Sequence, residues 1–557
     1  MSKKDRLIYL PLGGAGEIGM NMYLYGYGPK NKERYILVDV GVTFPDMDST
    51  PGVDLIMADA SYIIARADRL DAIIITHAHE DHIGAVGLLY PQLKAPIYAR
   101  KFTAMIASNK MERAGLNPDQ VNVVPVWPAQ IDIGPFKVGF MPIAHSIPEA
   151  SGLVIDTPVG RIVHTGDFKT DPTPLVGEPF DPELMADIAK GGVKALICDS
   201  TNVFSKGVGR SEASISKDIH ELMKTAKGMV FATTFGSNVA RLKTLAQAAT
   251  DEGRSVVVVG RAMDTMIKAA FATGVLKDFP PIVDLEDAGS IPRNQMFVLA
   301  TGSQGERRAA TAGLARGKYR GLELKDGDTF LFSSKTIPGN ENSVSYILNQ
   351  MAEKGVTVID DSDGRYHVSG HANRPDLEQM HALMKADVVI PMHGQYRHLR
   401  EHAEVVQSNG NKAVIVSNGT MIDLTNKPKI VDHIETGRTY LDGKQLIGAL
   451  DGIVRERIQM ALRGHVVVSL VLEEDGSMID GVWVETIGLP NDPKVNGGVD
   501  GQLEKAIDKA LSSANRKTLN SDEGVESLVG RISNQVCKDI VGKKPVCTVL
   551  INRLVAE

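Results

Sequence analysis

The chain has 557 residues, of which 43% are hydrophobic and 23% charged, and its formal net charge is −7. This composition excludes a disordered or low-complexity chain, and the length predicts three or four structural units. The negative charge argues against a protein that coats nucleic acid through bulk charge. Three cysteines argue against a disulfide framework. The chain has no apolar run of about 18 residues, and its first six residues do not resemble a signal peptide, so we expect a cytoplasmic protein without a membrane span.

A glycine-rich segment follows the first predicted strand, residues 7–12. Gly14, Gly16 and Gly19 match the G-x-G-x-x-G pattern of dinucleotide sites, and Asp39 lies where that pattern places a ribose-binding acid. The pattern also requires a helix after the glycines, whereas residues 20–27 are aromatic and typical of a strand. We therefore predict a β-hairpin here, with dinucleotide binding as the alternative.

Residues after the predicted strand 71–75 concentrate metal-ligating side chains. His77, His79, Asp81 and His82 lie close together in what we predict to be a loop, which can direct them to one point. Imidazole mixed with carboxylate suits Zn²⁺ or a similar borderline cation. Four ligands from one loop are more than one ion needs. The spacing therefore predicts two ions, and residues elsewhere in the chain would complete the coordination of each. The preceding residues, 54–67, are predicted to be helical.

Later strand ends also carry His or Asp. His145, Asp167, Asp199 and His393 each follow a predicted strand, whereas His164 lies inside one and is predicted to be structural. Open α/β sheets build their sites from such strand ends.

A second α/β layer begins at residue 211 and leads into a turn at Ser237 and Asn238. Backbone N–H groups and hydroxyls at such turns bind anions, and helix capping explains the same residues equally well. His398 and His402 have the spacing of a zinc pair on a helix, but we favour a solvated or phosphate-facing helix there. Residues 447–463 are predicted to form a connecting helix. The small α/β unit that follows has no ligand cluster and is predicted to serve assembly or partner binding.

These motifs together resemble one enzyme superfamily. The metallo-β-lactamase superfamily has a similar ligand set, carried here by His77, His79, Asp81, His82, His145, Asp167 and His393. Asp199, His371 and His393 resemble the signature positions of its β-CASP branch, which contains nucleic-acid-processing nucleases. Within that branch the whole chain is similar to the bacterial ribonuclease J family, through residues 16–21, 166–171, 199–202, 301–306, 337–341 and 393–398. Gln395 departs from the family pattern, in which an acidic residue is expected, and leaves the tuning of the neighbouring ligand in question.

The resemblance implies an α/β fold, with an αββα metallo-β-lactamase core interrupted by a β-CASP domain and followed by a small C-terminal α/β domain. The implied boundaries are 1–208 with 361–447 for the core, 209–360 for the β-CASP domain, 448–463 for a linker helix and 464–557 for the C-terminal domain.

The resemblance also implies two Zn²⁺ ions per chain, with Mn²⁺ as the alternative. His77, His79 and His145 would hold the first ion. Asp81, His82 and His393 would hold the second, and Asp167 would bridge the two. Asp199 would orient a ligand histidine, and His371 would assist at the phosphate. Catalysis would therefore involve Asp81, Asp199 and His371. A pocket for a 5′ monophosphate would contain Ser237, Asn238, Ser369 and His371.

The activity implied is 5′-to-3′ exonucleolytic and internal cleavage of RNA, in RNA maturation and mRNA decay. A DNA-directed nuclease is the nearest alternative, because the contacts that read a 2′-hydroxyl cannot be placed from sequence. A metallo-hydrolase of a small ester would not need the inserted layer, and a decayed RNA-binding scaffold would have lost ligands. The expected partners are RNA, a second copy of the chain through the C-terminal domain, with a tetramer as the alternative, and an RNA-degradation complex.

Overall fold

The computed structural model describes residues 5–337, 339–362, 364–491, 495 and 497–554. Residues 1–4 and Pro338, which belong to segments interpreted above, lie outside the described residues. The chain forms two compact units. The first contains the residues up to Thr43 together with Met57–Arg438, and the second contains Phe44–Ile56 together with the residues from Thr439 onward.

Two sheets of the first unit pack face to face. Ile36 and Val38 from one sheet and Ala195 and Ile197 from the other lie in the shared core. Because successive strand residues point to opposite faces, the buried Cys198 faces the outer, helical side. In spatial order the first sheet contains Lys429–His433, Thr420–Asp423, Asp5–Gly13, Met22–Pro29, Arg34–Val38, Leu70–Ile74, Ile97–Ala99 and Val121–Val123. The second contains Gln130–Ile133, Phe136–Pro142, Ser151–Thr157, Gly160–His164, Ala195–Asp199 and Val389–Met392.

Helices accompany these two sheets. The longer ones are Val86–Leu93, Lys101–Arg113, Pro182–Ala189, Arg374–Met384 and Tyr396–Ser408, and two single-turn helices are Ser61–Ile64 and Glu80–Ile83. Asn373 begins one of them with a capping box, in which its side chain accepts from the backbone of Asp376 and the Asp376 side chain accepts from the backbone N–H of Asn373.

A third sheet in the same unit is formed by the inserted residues. Its strands pair in parallel throughout, which requires crossover connections. Its strands, in spatial order, are Ile282–Val283, Ser255–Val259, Met296–Ala300, Val230–Thr233, Thr329–Phe332 and Thr357–Ile359. Its helices are Ser216–Thr225, Val239–Asp251, Arg261–Thr273, Ala310–Arg316 and Glu341–Glu353. The predicted second α/β layer is confirmed.

The second unit contains a three-stranded sheet with His465–Glu473 in the middle. This strand pairs antiparallel with Trp483–Ile487 and parallel with Val546–Leu554. Its alternate residues Val466, Val468 and Leu470 are buried in a core that includes residues of the two long helices. The helices of this unit are Ile453–Arg463, Gly498–Ser512, Arg516–Leu519 and Asp522–Val541.

Several segment predictions are decided by the structure. The hairpin is confirmed, because Asp5–Gly13 pairs antiparallel with Met22–Pro29. The helix predicted over 54–67 is wrong, since Leu55–Ala58 is a strand and only Ser61–Ile64 is helical. The connecting helix begins later than predicted, at Ile453 after Gly452, and Gln445–Gly448 is a strand. Among the described residues, no helix has both the length and the apolar character needed to cross a bilayer.

Candidate active site

The predicted ligand residues converge at the ends of strands in the first unit. Two of the groups that bring their potential ligand atoms within 4.8 Å of one another consist of predicted metal ligands alone. One contains His77, His79, His145 and Asp167, and the other contains Asp81, His82, Asp167 and His393. Asp167 is common to both. The segment after strand Leu70–Ile74 is a loop only as far as His79, because Asp81 and His82 lie on the single-turn helix Glu80–Ile83.

Three imidazole nitrogens meet in the first group. His77 Nε2 and His145 Nε2 each lie 3.1 Å from His79 Nδ1. Asp167 Oδ2 lies 3.7 Å from His77 Nε2 and 3.8 Å from His145 Nε2. A single proton on His79 Nδ1 cannot serve both neighbouring nitrogens well, whereas one cation can be shared by all three rings.

Hydrogen bonds on the outer side of these rings fix where their protons lie. His145 Nδ1 donates to the Gly370 carbonyl at 2.6 Å, so its Nε2 carries the lone pair when the ring is neutral. Thr76 Oγ1 donates to Asp39 and lies 3.0 Å from His77 Nδ1, so it accepts from that nitrogen and leaves Nε2 as a lone pair. The outer contacts therefore direct two lone pairs into the group.

The second group is richer in carboxylate. His82 Nδ1 donates to Asp39 Oδ2 at 2.7 Å, and its Nε2 lies 3.2 Å from Asp167 Oδ2. His393 Nδ1 donates to Asp167 Oδ1 at 2.8 Å. His393 Nε2 lies 3.2 Å from Asp81 Oδ2 without hydrogen-bond geometry, and it is a buried nitrogen with no hydrogen-bond partner among the described residues.

The two groups differ in electrostatics. Burial lowers the pKa of His79 to about 4 and holds the pKa values of His77 and His145 well below the usual range. These rings are therefore neutral and can offer nitrogen lone pairs to a metal ion. Burial also opposes charge on His393, but Asp167 and Asp81 outweigh it and raise its pKa to about 10. The carboxylates of the second group thus draw positive charge, which a bound cation would supply in place of protons.

Asp199 and His371 form a pair beside the two groups. Asp199 Oδ2 accepts from His371 Nδ1 at 2.8 Å, and Asp199 Oδ1 accepts from the backbone N–H and the hydroxyl of Thr201. Asp199 Oδ1 lies 3.9 Å from His393 Nδ1, too far for a hydrogen bond. In the structure Asp199 therefore orients His371 and makes no hydrogen bond to the ligand candidate His393.

A cavity of about 420 Å³ joins these residues to the predicted phosphate pocket. It is lined by His79, Asp81, Asp167 and His393, and also by Ser237, Asn238, Ser369 and His371. Asn238 Oδ1 caps helix Val239–Asp251 by accepting from the Arg241 backbone, which leaves its amide N–H groups as donors. Ser369 Oγ accepts from Asn202 Nδ2 and from the His371 backbone, which leaves its own O–H to donate.

The sequence did not reveal several residues that hold the site. Asp39 supports the ring of His82 directly and that of His77 through Thr76, whereas the glycine pattern suggested only a ribose-binding acid at this position. Its position directly after strand Arg34–Val38 was the available signal, because the other site residues also follow strands. Asn21 donates its backbone N–H to the Asp81 carbonyl, and Lys335 and Arg397 contribute charge to the cavity wall.

Three further predictions have clear outcomes. His164 is fully buried within its strand and lies 2.9 Å from the Tyr25 hydroxyl, which confirms the structural role predicted for it. The solvated helix face predicted for His398 and His402 is wrong, because both are buried, although His398 lines the cavity. Gln395 is exposed and accepts from Arg397 Nε at 3.1 Å, and Arg397 lines the cavity.

The donor set fits a pair of metal ions. Neutral imidazoles face one another at 3.1 Å in the first group, and the second holds a buried nitrogen, beside two carboxylates, that has no hydrogen-bond partner in the described part of the chain. Both features are expected of residues arranged around cations.

A two-sheet sandwich with helices outside and this ligand arrangement defines a metallo-hydrolase. Residues 16–194 match the metallo-beta-lactamase superfamily, and residues 365–416 match the Zn-dependent metallo-hydrolase RNA specificity domain. Residues 227–351 match the ribonuclease J beta-CASP domain, and residues 452–554 match the ribonuclease J C-terminal domain. Ribonuclease J of Sinorhizobium meliloti is 39% identical over 100% of this chain and 98% of its own length.

Other relatives extend this similarity. The ribonuclease J of Corynebacterium glutamicum is 35% identical over 87% of this chain and 67% of its own length. That of Thermus thermophilus is 34% identical over 85% of this chain and 83% of its own. A protein of unknown function from Enterococcus faecalis shares the fold over 75% of this chain and all of its own, with a TM-score of 0.52 and 16% identity. The chain belongs to the ribonuclease J family, and this membership supports a metal-binding nuclease hydrolase.

Proposed function

We propose that this protein is a metal-dependent ribonuclease that degrades RNA from a 5′-monophosphate end and also cleaves internally. The observation that carries the proposal is the shared cavity, whose lining includes members of both ligand groups together with the side chains of Ser237, Asn238 and Ser369. The cavity would bind the terminal phosphate of the RNA close to the ligand groups, where the RNA would be hydrolysed. Cleavage would therefore be coupled to the 5′ end of the RNA.

The ligand assignment follows the two groups. His77, His79 and His145 would hold one ion, Asp81, His82 and His393 the other, and Asp167 both. The mixture of imidazole and carboxylate supports Zn²⁺, with Mn²⁺ as the alternative. Two bound ions would lower the pKa of a water and bind the scissile phosphate.

Asp199 and His371 would act beside the scissile phosphate, with Asp199 orienting the His371 ring. The Asp199 carboxylate holds His371 through Nδ1 at 2.8 Å, so Nε2 is the atom left for substrate. Burial disfavours charge on His371, but Asp199 outweighs it and raises the pKa of the ring. We infer that His371 stabilises developing charge or donates a proton to the leaving oxygen.

The proposed phosphate pocket would give a preference for monophosphate ends. The Asn238 amide and the Ser369 hydroxyl would be neutral donors to a phosphate that carries about two charges, and we place Ser237 beside them. A 5′-hydroxyl would leave these donors unpaired, at about 1–3 kcal/mol each. A triphosphate is larger and more highly charged, and we expect it to fit this pocket less well than a monophosphate.

The rival substrates are disfavoured. A small ester would make no use of Asn238, which is supplied by the inserted layer. RNA is favoured over DNA by the match to an RNA specificity domain over residues 365–416. We accordingly place the protein in RNA maturation and mRNA decay, in association with other decay enzymes. Three cysteines without disulfides support a cytoplasmic location.

We further propose the domain boundaries 1–208 with 361–447, 209–360, 448–463 and 464–557, and a homodimer formed by the C-terminal domain. The support for the dimer is one face of its sheet. Trp483 and Leu550 flank Ser469 on neighbouring strands and are 52% and 51% exposed, while the opposite face is buried. Large apolar side chains exposed together are typical of an interaction surface.

The deciding experiment compares substrates that differ only at one feature. Purified protein is incubated with 5′-monophosphate, 5′-triphosphate and 5′-hydroxyl RNA of one sequence and with the matching DNA, and products are resolved by size. We expect mononucleotides from monophosphate RNA and internal fragments from all three RNAs. Equal cleavage of the DNA, or no dependence of mononucleotide release on the 5′ group, would contradict the proposal.

A further inference from the structure

A further group of ligating side chains lies outside the active site. Cys198, His381 and His402 bring Sγ and two imidazole nitrogens within 4.8 Å of one another. The three residues come from strand Ala195–Asp199 and from the helices Arg374–Met384 and Tyr396–Ser408. Cys198 and His402 are fully buried and His381 is 4% exposed, so the group is closed to solvent.

The two rings point their Nε2 atoms at each other. His381 Nε2 lies 2.9 Å from His402 Nε2, and the ring planes differ by 25°. This distance suits either one shared proton or two nitrogens drawn together by a common ion. His381 Nδ1 is buried without a hydrogen-bond partner among the described residues, so no contact on that side fixes a proton on Nε2.

The outer contact of His402 matches that of a ligand candidate in the active site. His402 Nδ1 lies 2.9 Å from Ser200 Oγ, as His77 Nδ1 lies 3.0 Å from Thr76 Oγ1. The Ser200 hydroxyl donates to the Cys198 carbonyl at 3.5 Å, so it accepts from His402 Nδ1 and leaves the Nε2 lone pair facing the group. A hydroxyl or carbonyl on the outer nitrogen is the usual orienting contact of a metal-bound histidine.

We propose that Cys198, His381 and His402 form a third metal site, which takes a thiophilic divalent cation of the zinc class. One thiolate and two imidazoles are a donor set that such ions prefer, and a thiolate distinguishes this site from the active-site groups, whose donors are nitrogen and oxygen. Binding would release the thiol proton to solvent and leave a thiolate–metal bond.

The site would stabilise the framework beneath the active centre. It would link two helices to the strand that ends in Asp199, which holds His371. We therefore infer a structural ion, and its loss would loosen the attachment of both helices to this strand.

The test uses cobalt as the probe, because a Co²⁺–thiolate bond gives an intense near-ultraviolet charge-transfer band that nitrogen and oxygen donors do not give. The full-length protein is produced in medium in which Co²⁺ replaces zinc, so that the buried site fills during folding. Bound cobalt is then counted by elemental analysis, and the band is recorded. We expect one ion per chain beyond the active-site pair, together with the thiolate band.

Matched cysteine variants assign the band. Cys198→Ser should lose the band and one ion, and so should His381→Gln, a second variant in case the first does not fold. Cys547→Ser, which alters a half-buried free cysteine of the other unit, should keep both. Wild-type protein without a thiolate band, or a band that survives Cys198→Ser, would overturn the site. Neither result bears on ribonuclease activity, which is measured separately.

Discussion

The Asp39 carboxylate accepts a hydrogen bond from His82 Nδ1 at 2.7 Å, between two residues 43 positions apart that are both fully buried. The same carboxylate accepts from the Thr76 hydroxyl, which lies against His77 Nδ1. One buried side chain thus sets the ring orientation of one histidine in each ligand group. Its backbone lies in the left-handed region, with φ of 60°, where Asp and Asn are better tolerated than most residues.

We predict that Asp39→Asn weakens metal binding while the protein stays folded. Asparagine tolerates the same backbone conformation, but it presents a neutral amide to His82 and so removes the charge that fixes its tautomer. The affinity for the ions should fall by about 10–100-fold, which is typical when such an outer partner is lost. Competition against a chromogenic chelator measures this, with circular dichroism as the folding control. Unchanged affinity in a folded variant would show that Asp39 does not support the ligands.

The sequence predicted most of the ligand candidates because they lie in the segments that follow buried strands, and in the structure the ends of such strands from both packed sheets converge. It did not predict the contact of Asp39 with His82, because nothing local specifies a partner so far away in the chain. The spacing of His398 and His402 showed only that they share a helix face. Helix Arg374–Met384 brings His381 against His402, and this contact depends on tertiary packing that the local sequence does not specify. The two roles predicted for Asn238, helix capping and anion binding, are compatible, since its side-chain oxygen caps a helix and the residue lines the cavity.

The shared position of Asp167 predicts different metal losses for two variants. Asp81→Ala removes a ligand candidate from one group and should lower the active-site content to about one ion, whereas Asp167→Ala affects both groups and should remove both. RNA hydrolysis should be abolished in each. Elemental analysis of the folded variants checks the counts. Wild-type turnover by a folded Asp81→Ala protein would refute the assignment.

The phosphate pocket predicts a selective loss. In the double variant Ser237→Ala with Ser369→Ala, two donors are removed from the cavity wall but no ligand candidate is changed. The preference for monophosphate over hydroxyl ends should fall by about tenfold for each lost hydrogen bond, and internal cleavage should fall much less. Ser334→Ala, a buried serine in the inserted layer, serves as a control. Equal loss of both activities would place these serines in general backbone binding.

His164 predicts a pH-dependent stability term. Burial, with a further contribution from His82, lowers its pKa to about 3, so the unfolded chain binds more protons than the folded one below the ordinary value. The contribution of neutral His164 to the free energy of unfolding is complete above about pH 6.5. It falls by up to roughly 1.4 kcal/mol per pH unit towards pH 3. The double variant His164→Leu with Tyr25→Phe removes the ring and its hydroxyl partner together. Urea unfolding across this range should show a shallower acid dependence than in wild type, and identical slopes would contradict the assignment.

The exposed sheet face of the C-terminal unit predicts the association state. Deleting residues 464–557 should convert the dimer to a monomer, and the double variant Trp483→Glu with Leu550→Glu should do the same without removing the domain. These two side chains flank Ser469 on one face, so paired carboxylates there would face their symmetry copies and repel. Light scattering over a range of protein concentrations measures the mass. Ile430→Glu changes a similarly exposed apolar residue of the other unit, at 44% exposure, and should leave the dimer intact. A dimer that persists in the Trp483 and Leu550 variant, or one that Ile430→Glu disrupts, would place the interface elsewhere.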